Sequence, residues 1–90
     1  MITRQATVRN QYGIHCRPAA MIAREAHACT GKIRVTNEQG ESTNAKNVMG
    51  LISLGVTCGQ SVTVEVEGEE EEAAATRMVN LLETEFDFVR

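Results

Sequence analysis

Four segments of the chain alternate apolar and polar residues, as β-strands do when they bury one face. The clearest is 61–67, in which three valines alternate with threonine and glutamate. Residues 3–9, 32–36 and 41–44 show weaker or shorter versions of the pattern, and the sequence Asn-Glu-Gln-Gly at 37–40 is typical of a turn. The pattern predicts four strands, whose inward residues are Ala6, Val8, Ile33, Val35, Val62, Val64 and Val66.

Three other segments repeat apolar residues every three or four positions, which predicts amphipathic helices. The first covers 16–28 and ends before a Thr-Gly pair, and the second is a short helix over 47–54 that Asn47 can cap. The third begins in the acidic run 69–72, whose charge complements the helix dipole. The apolar stripes comprise Ala19, Ile22, Ala23, Ala26 and Cys29, then Val48, Leu51 and Ile52, then Ala75, Met78, Val79, Leu82 and Phe86.

The predicted elements follow one another in the order βαββαβα. One-sided alternation in the strands predicts an α+β fold with a four-stranded antiparallel sheet, covered on one face by three helices. A chain of 90 residues without a repeat or a linker should form a single domain over 1–90. Such a domain has room for one layer of helices on one sheet, which favours a protein handled by larger partners over a self-sufficient enzyme.

The candidate chemistry lies in the segment 13–20, which reads Gly-Ile-His-Cys-Arg-Pro-Ala-Ala. Because Pro18 is tolerated only in the first turn of a helix, the helix should begin near Cys16 with His15 at or just before its N-cap. Unpaired N–H groups and the helix dipole make this end an anion site, and the planar fork of Arg17 suits phosphate oxygens. A nucleophilic imidazole beside such a cradle indicates a phosphoryl acceptor. A polar cap beside a solvated arginine is the commoner explanation of this pair.

Charge and composition exclude several classes of function. A net charge of −3, with only three aromatic residues and no basic patch, argues against nucleic-acid binding. The chain shows no run of membrane-helix length and no apolar core of a secretory signal near its start, so we expect a cytoplasmic protein without membrane insertion. The three cysteines suggest free thiols. Cys29 and Cys58 should pack as small apolar residues, while Cys16 is either a surface thiol or an oxidisable one.

A small metal-binding module is one alternative, because His15 with Cys16 and His27 with Cys29 provide soft ligands. The two pairs lie at opposite ends of one predicted helix, roughly 18–20 Å apart at 1.5 Å per residue, which is too far to share an ion. We therefore expect no metal and no cofactor. A purely structural interaction domain is the other alternative, and it leaves the histidine-arginine pair unexplained.

The segment 13–20 resembles the active-site segment of the HPr family, the histidine-containing phosphocarriers of the bacterial phosphoenolpyruvate-dependent phosphotransferase system. A second segment, 44–51 with the sequence Asn-Ala-Lys-Asn-Val-Met-Gly-Leu, is similar to the start of the second helix in that family. The similarity covers essentially the whole chain. It implies the open-faced β-sandwich of the family, with the second helix beside the active-site histidine.

The resemblance also implies a phosphoryl relay. Phosphorylated enzyme I would transfer its phosphoryl group to Nδ1 of His15, and His15 would pass the group to a IIA protein or domain of a sugar-transport system. The side chain of Arg17 and the N–H groups of Cys16 and Arg17 would stabilise the phosphate. Such a carrier acts as a monomer and has no independent turnover. A carrier of the nitrogen-related regulatory branch is the alternative.

The docking surface should be apolar around His15. Methionines suit surfaces that repack against several partners, although core filling is the alternative for both methionines concerned. The candidate docking residues are Ala20 and Met21 on the first helix and Val48 and Met49 on the second.

Asn47 departs from the family pattern. Many HPr proteins, especially those of Gram-positive bacteria, carry at this position a serine that a regulatory kinase phosphorylates. Because an amide has no hydroxyl group to phosphorylate, we expect this regulation to be absent.

Overall fold

The computed structural model describes residues 1–9, 13–29, 31–68 and 70–84, and within them it contains the predicted order βαββαβα. The elements are β1 (Ile2–Thr7), α1 (Cys16–His27), β2 (Lys32–Thr36), β3 (Ser42–Asn44), α2 (Val48–Ser53), β4 (Ser61–Glu67) and α3 (Glu71–Leu82). The strands form one antiparallel sheet in the order β1-β4-β2-β3. The predicted fold class is therefore confirmed.

Most element boundaries differ from the predictions by only one or two residues, but α3 ends at Leu82, whereas the predicted helix extended as far as Phe86. The first strand ends at Thr7, but Val8 is still buried, and its N–H donates to the carbonyl oxygen of Gln60 at 2.9 Å. The inward position predicted for Val8 is thus right, although the residue follows the strand. Asn47 and Leu54 flank α2 as its caps instead of belonging to the helix.

The hydrophobic core fills the space between the helices and one face of the sheet. Alternate residues of β2 and β4 point into it, and so does the apolar stripe of α1. Ala75, Met78 and Leu82 of the predicted stripe are buried in α3, and Ala74, four residues before Met78, lies on the same buried face although the prediction omitted it. The predicted core residues that are only partly buried are Cys29, Val48, Ile52 and Val79.

The opposite face of the sheet is polar. Lys32 and Arg34 of β2 are exposed, and Arg34 pairs in register with Glu65 of β4. This arrangement matches the expected open-faced sandwich, because charged and hydroxyl side chains do not require a second layer. In the part of the chain that the structure describes, no helix has the length and apolarity needed to cross a membrane.

Cys58 contradicts the expectation that it packs as an apolar residue. The side chain is exposed in the turn before β4, and its thiol donates to the carbonyl oxygen of Arg9 at 3.6 Å. A turn residue points away from the core, which explains the error. The predicted features at Asn10 to Tyr12, Thr30, Glu69 and Phe86 lie outside the described residues.

Candidate functional site

His15 is the N-cap residue of α1, as predicted. Its backbone is extended, with φ −104° and ψ −166°, and its carbonyl oxygen accepts the first helical hydrogen bond from the N–H of Ala19 at 2.9 Å. The imidazole does not cap the helix, since its side chain forms no hydrogen bond to the first turn. In many helices the side chain of the N-cap residue accepts hydrogen bonds from the first-turn N–H groups. The side chain of His15 does not do so in α1.

The first turn of α1 favours an anion. It reads Cys-Arg-Pro-Ala and contains no acidic side chain. Pro18 is the third helical residue and is buried, and it brings no N–H of its own. The N–H groups of Cys16 and Arg17 precede it at positions that have no intrahelical acceptor, and both side chains are exposed. Twelve residues of α1 add their dipole at this end.

The imidazole of His15 is half-buried and exposes only part of its ring. Its Nε2 atom is buried, with an accessible surface below 1 Å². A reagent that arrives from solvent therefore has no direct access to Nε2.

The segment that carries His15 is supported by the loop after α2. The N–H of Ile14 donates to the carbonyl oxygen of Val56 at 3.0 Å, and both of these side chains are buried. Gly13 has a φ of +68° and packs directly against the same carbonyl. Sequence reasoning missed this support. The glycines at positions 13 and 55, both at positive φ, were the signal that could have indicated it.

The second helix packs against the first. The side chain of Asn47 caps α2, because its Oδ1 atom accepts a hydrogen bond from the N–H of Gly50 at 3.0 Å. The predicted cap is confirmed. The helices α1 and α2, which carry the four candidate docking residues, are packed neighbours.

The four candidate docking residues differ in exposure. Met49 is 69% exposed and Met21 39% exposed, so neither methionine fills the core. Ala20 is exposed as well, whereas Val48 is half-buried and packs partly against the core. The exposed apolar surface thus comes chiefly from the two methionines.

His27 lies far from this site, as the last residue of α1. Over the described ranges 1–9, 13–29, 31–68 and 70–84, no group of three His, Cys, Asp or Glu side chains could hold a metal ion. A cavity of about 160 Å³ lies near Cys29, Val66 and Ala74, at the C-terminal end of α1, and none of the predicted site residues lines it. The candidate site around His15 is a surface site.

The family model described as "PTS HPr component phosphorylation site" matches residues 2–84. The phosphocarrier protein HPr of Haemophilus influenzae is 34% identical over 84 residues, which cover 93% of this chain and 98% of that protein. A crystal structure of HPr from Bacillus anthracis superposes with a TM-score of 0.86 at 28% identity, covering 91% of this chain and 96% of that one.

The HPr-like protein Crh of Bacillus subtilis is also 34% identical, over 94% of this chain and 99% of Crh. One crystal structure of Crh, described as a dimer with a swapped domain, has a TM-score of 0.72 at 34% identity and covers 91% of this chain and 93% of the Crh chain. In each comparison the similarity extends over nearly the full length of both chains. The chain belongs to the HPr family, the phosphocarrier proteins of the phosphotransferase system.

Proposed function

We propose that His15 accepts a phosphoryl group at Nδ1 from phosphorylated enzyme I and passes it to a IIA protein or domain. The observation that carries the proposal is the half-buried imidazole at the N-cap of α1, next to an exposed arginine and a helix N-terminus. The burial of Nε2 supports Nδ1 as the acceptor, because the attacking atom has to meet the donor in line.

The transfer requires only positioning and charge stabilisation from this chain. The lone pair of Nδ1 forms the new phosphorus–nitrogen bond while the bond between phosphorus and the donor enzyme breaks. The guanidinium of Arg17 and the N–H groups of Cys16 and Arg17 stabilise the charge on the three equatorial oxygens. In the second transfer the same bond breaks as the acceptor protein attacks, so the carrier returns to its starting state without a cofactor.

A surface site fits a relay, because two different proteins have to reach the same atom. We propose that both partners dock on an apolar surface carried by α1 and α2. It consists of Ala20 and Met21 of α1 and Val48 and Met49 of α2. The flexible thioether side chains can adjust to partners of different shape.

Asn47 removes one form of control. As the N-cap of α2 it provides an amide where a kinase requires a hydroxyl group. We propose that this carrier works as a cytoplasmic monomer of one domain, without serine-directed regulation. Sugar transport and the nitrogen-related regulatory branch would use the same chemistry at His15, so the proposal covers both.

The relationship to Crh supplies a second candidate. The HPr-like protein Crh is a catabolite repression protein of Bacillus subtilis, which suggests that a chain of this fold can act as a regulatory protein. In that case the chain would bind its partners without carrying phosphate. His15 and Arg17 at the helix N-terminus favour the carrier.

The experiment that tests the proposal is incubation with phosphoenolpyruvate and a panel of enzyme I proteins, followed by intact-mass measurement. A carrier gains one phosphoryl group, and the added mass disappears when a cognate IIA protein is supplied. A chain that stays unmodified with every enzyme I, under conditions in which HPr from Haemophilus influenzae is phosphorylated, contradicts the proposal and favours the regulatory candidate.

A further inference from the structure

We propose that Gly13 and the carbonyl group of Val56 position His15 for phosphoryl transfer, so that Gly13 is a positioning residue of the site. This inference rests on the proposed function, because it assigns a role in the transfer at His15. The contact between the two segments joins residues more than forty positions apart in the chain. It involves the two residues that precede His15, on the N-terminal side of α1.

The contact at Gly13 is closer than any other residue type allows. A Cβ atom added there would lie 2.2 Å from the carbonyl oxygen of Val56 and 2.8 Å from Cα of Thr57. Ordinary van der Waals contacts begin near 3.4 Å, so a side chain at this position would have to push the two segments apart by about 1 Å. The φ of +68° adds a second reason why glycine is required.

The connection continues directly to His15. The N–H of Ile14 donates to the same carbonyl oxygen at 3.0 Å, and the buried Ile14 side chain fixes the segment in the core. His15 follows immediately and begins α1. The carbonyl of Val56 thus contacts the two residues before the imidazole, and a displacement there is transmitted through only one or two peptide units.

The loop that provides the carbonyl is itself held from two sides. The carbonyl oxygen of Leu54 accepts a hydrogen bond from the side chain of Asn37 at 2.9 Å, and the N–H of Gly59 donates to the carbonyl oxygen of Val8 at 2.8 Å. The side chain of Gln60 accepts the N–H of Thr57 at 2.9 Å. The loop after α2 is therefore held in place on both sides of Val56. Because the loop cannot easily move, the position of His15 depends on how closely residue 13 packs against the carbonyl group of Val56.

A displacement of about 1 Å is large for group transfer, since misplacement on this scale can cost about 100-fold in rate. Gly13→Ala should therefore slow transfer from enzyme I by about 10- to 100-fold, measured per folded molecule. The ring resonances of His15 in a ¹H–¹⁵N or ¹H–¹³C NMR spectrum should move as well, with no partner protein present.

Gly40→Ala is the matched control. Gly40 also has a positive φ, +86°, but a Cβ there would meet nothing within 4 Å, and the residue lies in the turn between β2 and β3. The two substitutions impose the same kind of backbone strain, and only one of them disturbs the contact with Val56. We expect Gly40→Ala to keep the wild-type transfer rate and the wild-type His15 resonances.

A second variant removes the hydrogen bond without adding any atom. Cys16 allows the chain to be assembled by native chemical ligation from a 1–15 peptide, in which the amide of Ile14 is replaced by an ester. This variant should shift the His15 ring resonances and slow the transfer about tenfold, and it decides the question if Gly13→Ala does not fold.

The proposal is overturned if folded Gly13→Ala, or the ester variant in its place, keeps the His15 resonances and transfers phosphate within twofold of wild type. Equal losses in Gly13→Ala and Gly40→Ala overturn it too, since they show general destabilisation. If the wild-type chain takes up no phosphate, the proposed carrier function fails, and the His15 resonances of the same variants still decide whether Gly13 and Val56 position the ring.

Discussion

Asn37 should stabilise the fold more than its position in a turn suggests. It is the buried polar side chain among the described residues, with 7% of its surface exposed, and it makes four hydrogen bonds. Its Nδ2 atom donates to the carbonyl oxygen of Leu54 at 2.9 Å and to the Glu41 carboxylate at 3.0 Å. Its Oδ1 atom accepts the N–H groups of Gln39 at 3.1 Å and Glu41 at 2.9 Å.

Asn37→Ala removes all four bonds at once. The carbonyl oxygen of Leu54 is then left in a buried position without its side-chain donor, which costs about 1–3 kcal/mol. The partners in the turn are more exposed and can turn to water, so they add roughly 1 kcal/mol together. We expect a total loss of about 2–4 kcal/mol from the free energy of unfolding, a large part of the roughly 5–13 kcal/mol typical of a 90-residue domain.

Urea unfolding, followed by circular dichroism, measures this loss, and the midpoint should fall by about 1–3 M. Asn44→Ala is the matched control, because its Oδ1 atom makes one exposed hydrogen bond, to the N–H of Lys46 at 2.9 Å. We expect this control to lose at most about 1 kcal/mol. Asn37→Asp keeps the two accepted bonds but turns a carboxylate oxygen towards Leu54 and Glu41, so it should lose at least as much as alanine at neutral pH.

The reasoning is refuted if Asn37→Ala and Asn44→Ala destabilise the protein equally, to within about 0.5 kcal/mol. Such a result would mean that the buried contact with Leu54 contributes nothing beyond an ordinary turn. It would also weaken the view that the loop after α2 is held in place from the β2–β3 turn.

Three further predictions concern Arg17 and Asn47. Arg17→Lys should slow transfer to and from enzyme I by roughly 5- to 150-fold, which corresponds to about 1–3 kcal/mol of activation free energy. The reason is that lysine keeps the charge but lacks the planar fork. Stopped-flow rates within twofold of wild type would show that the guanidinium does not contact the phosphate. Asn47→Ala should lose about 1 kcal/mol of stability with the cap, whereas Asn47→Ser should stay within a few tenths, as thermal unfolding will show. Asn47→Asp should keep the cap but slow transfer by charge repulsion, with the gap to Asn47→Ser closing as salt is added; equal rates for both would place Asn47 outside the docking surface.

Local patterns predicted most of the fold. Alternating valines identified β4, and the position of Pro18 fixed the start of α1 and therefore the N-cap role of His15. The cap at Asn47 was predictable for the same reason, since a cap depends on residues within one turn. The helix start and the cap are determined by contacts within one turn, whereas β4 was recognisable because the alternation that buries one of its faces is visible within a single segment.

Contacts between distant segments were not predicted. Periodicity does not encode which strands are neighbours, so the order β1-β4-β2-β3 came only from the structure. Two such contacts are that of Gly13 with Val56 and the hydrogen bond from Asn37 to Leu54. The sequence contained only indirect indications of them, namely a glycine before the helix and an asparagine in a turn. The exposed Cys58 was misjudged because free cysteines are usually buried, whereas this one lies in a turn that points away from the core.

The most direct test of the central claim locates the phosphate. His15→Ala and His27→Ala are incubated with phosphoenolpyruvate and the enzyme I that modifies the wild-type chain, and their intact masses are measured. His27 lies at the C-terminal end of α1, where the helix dipole repels an anion, so His27→Ala should be phosphorylated like wild type. His15→Ala should gain no phosphoryl group, and the modification of the wild type should be lost in acid and survive in alkali. Stoichiometric phosphorylation of His15→Ala would contradict the account.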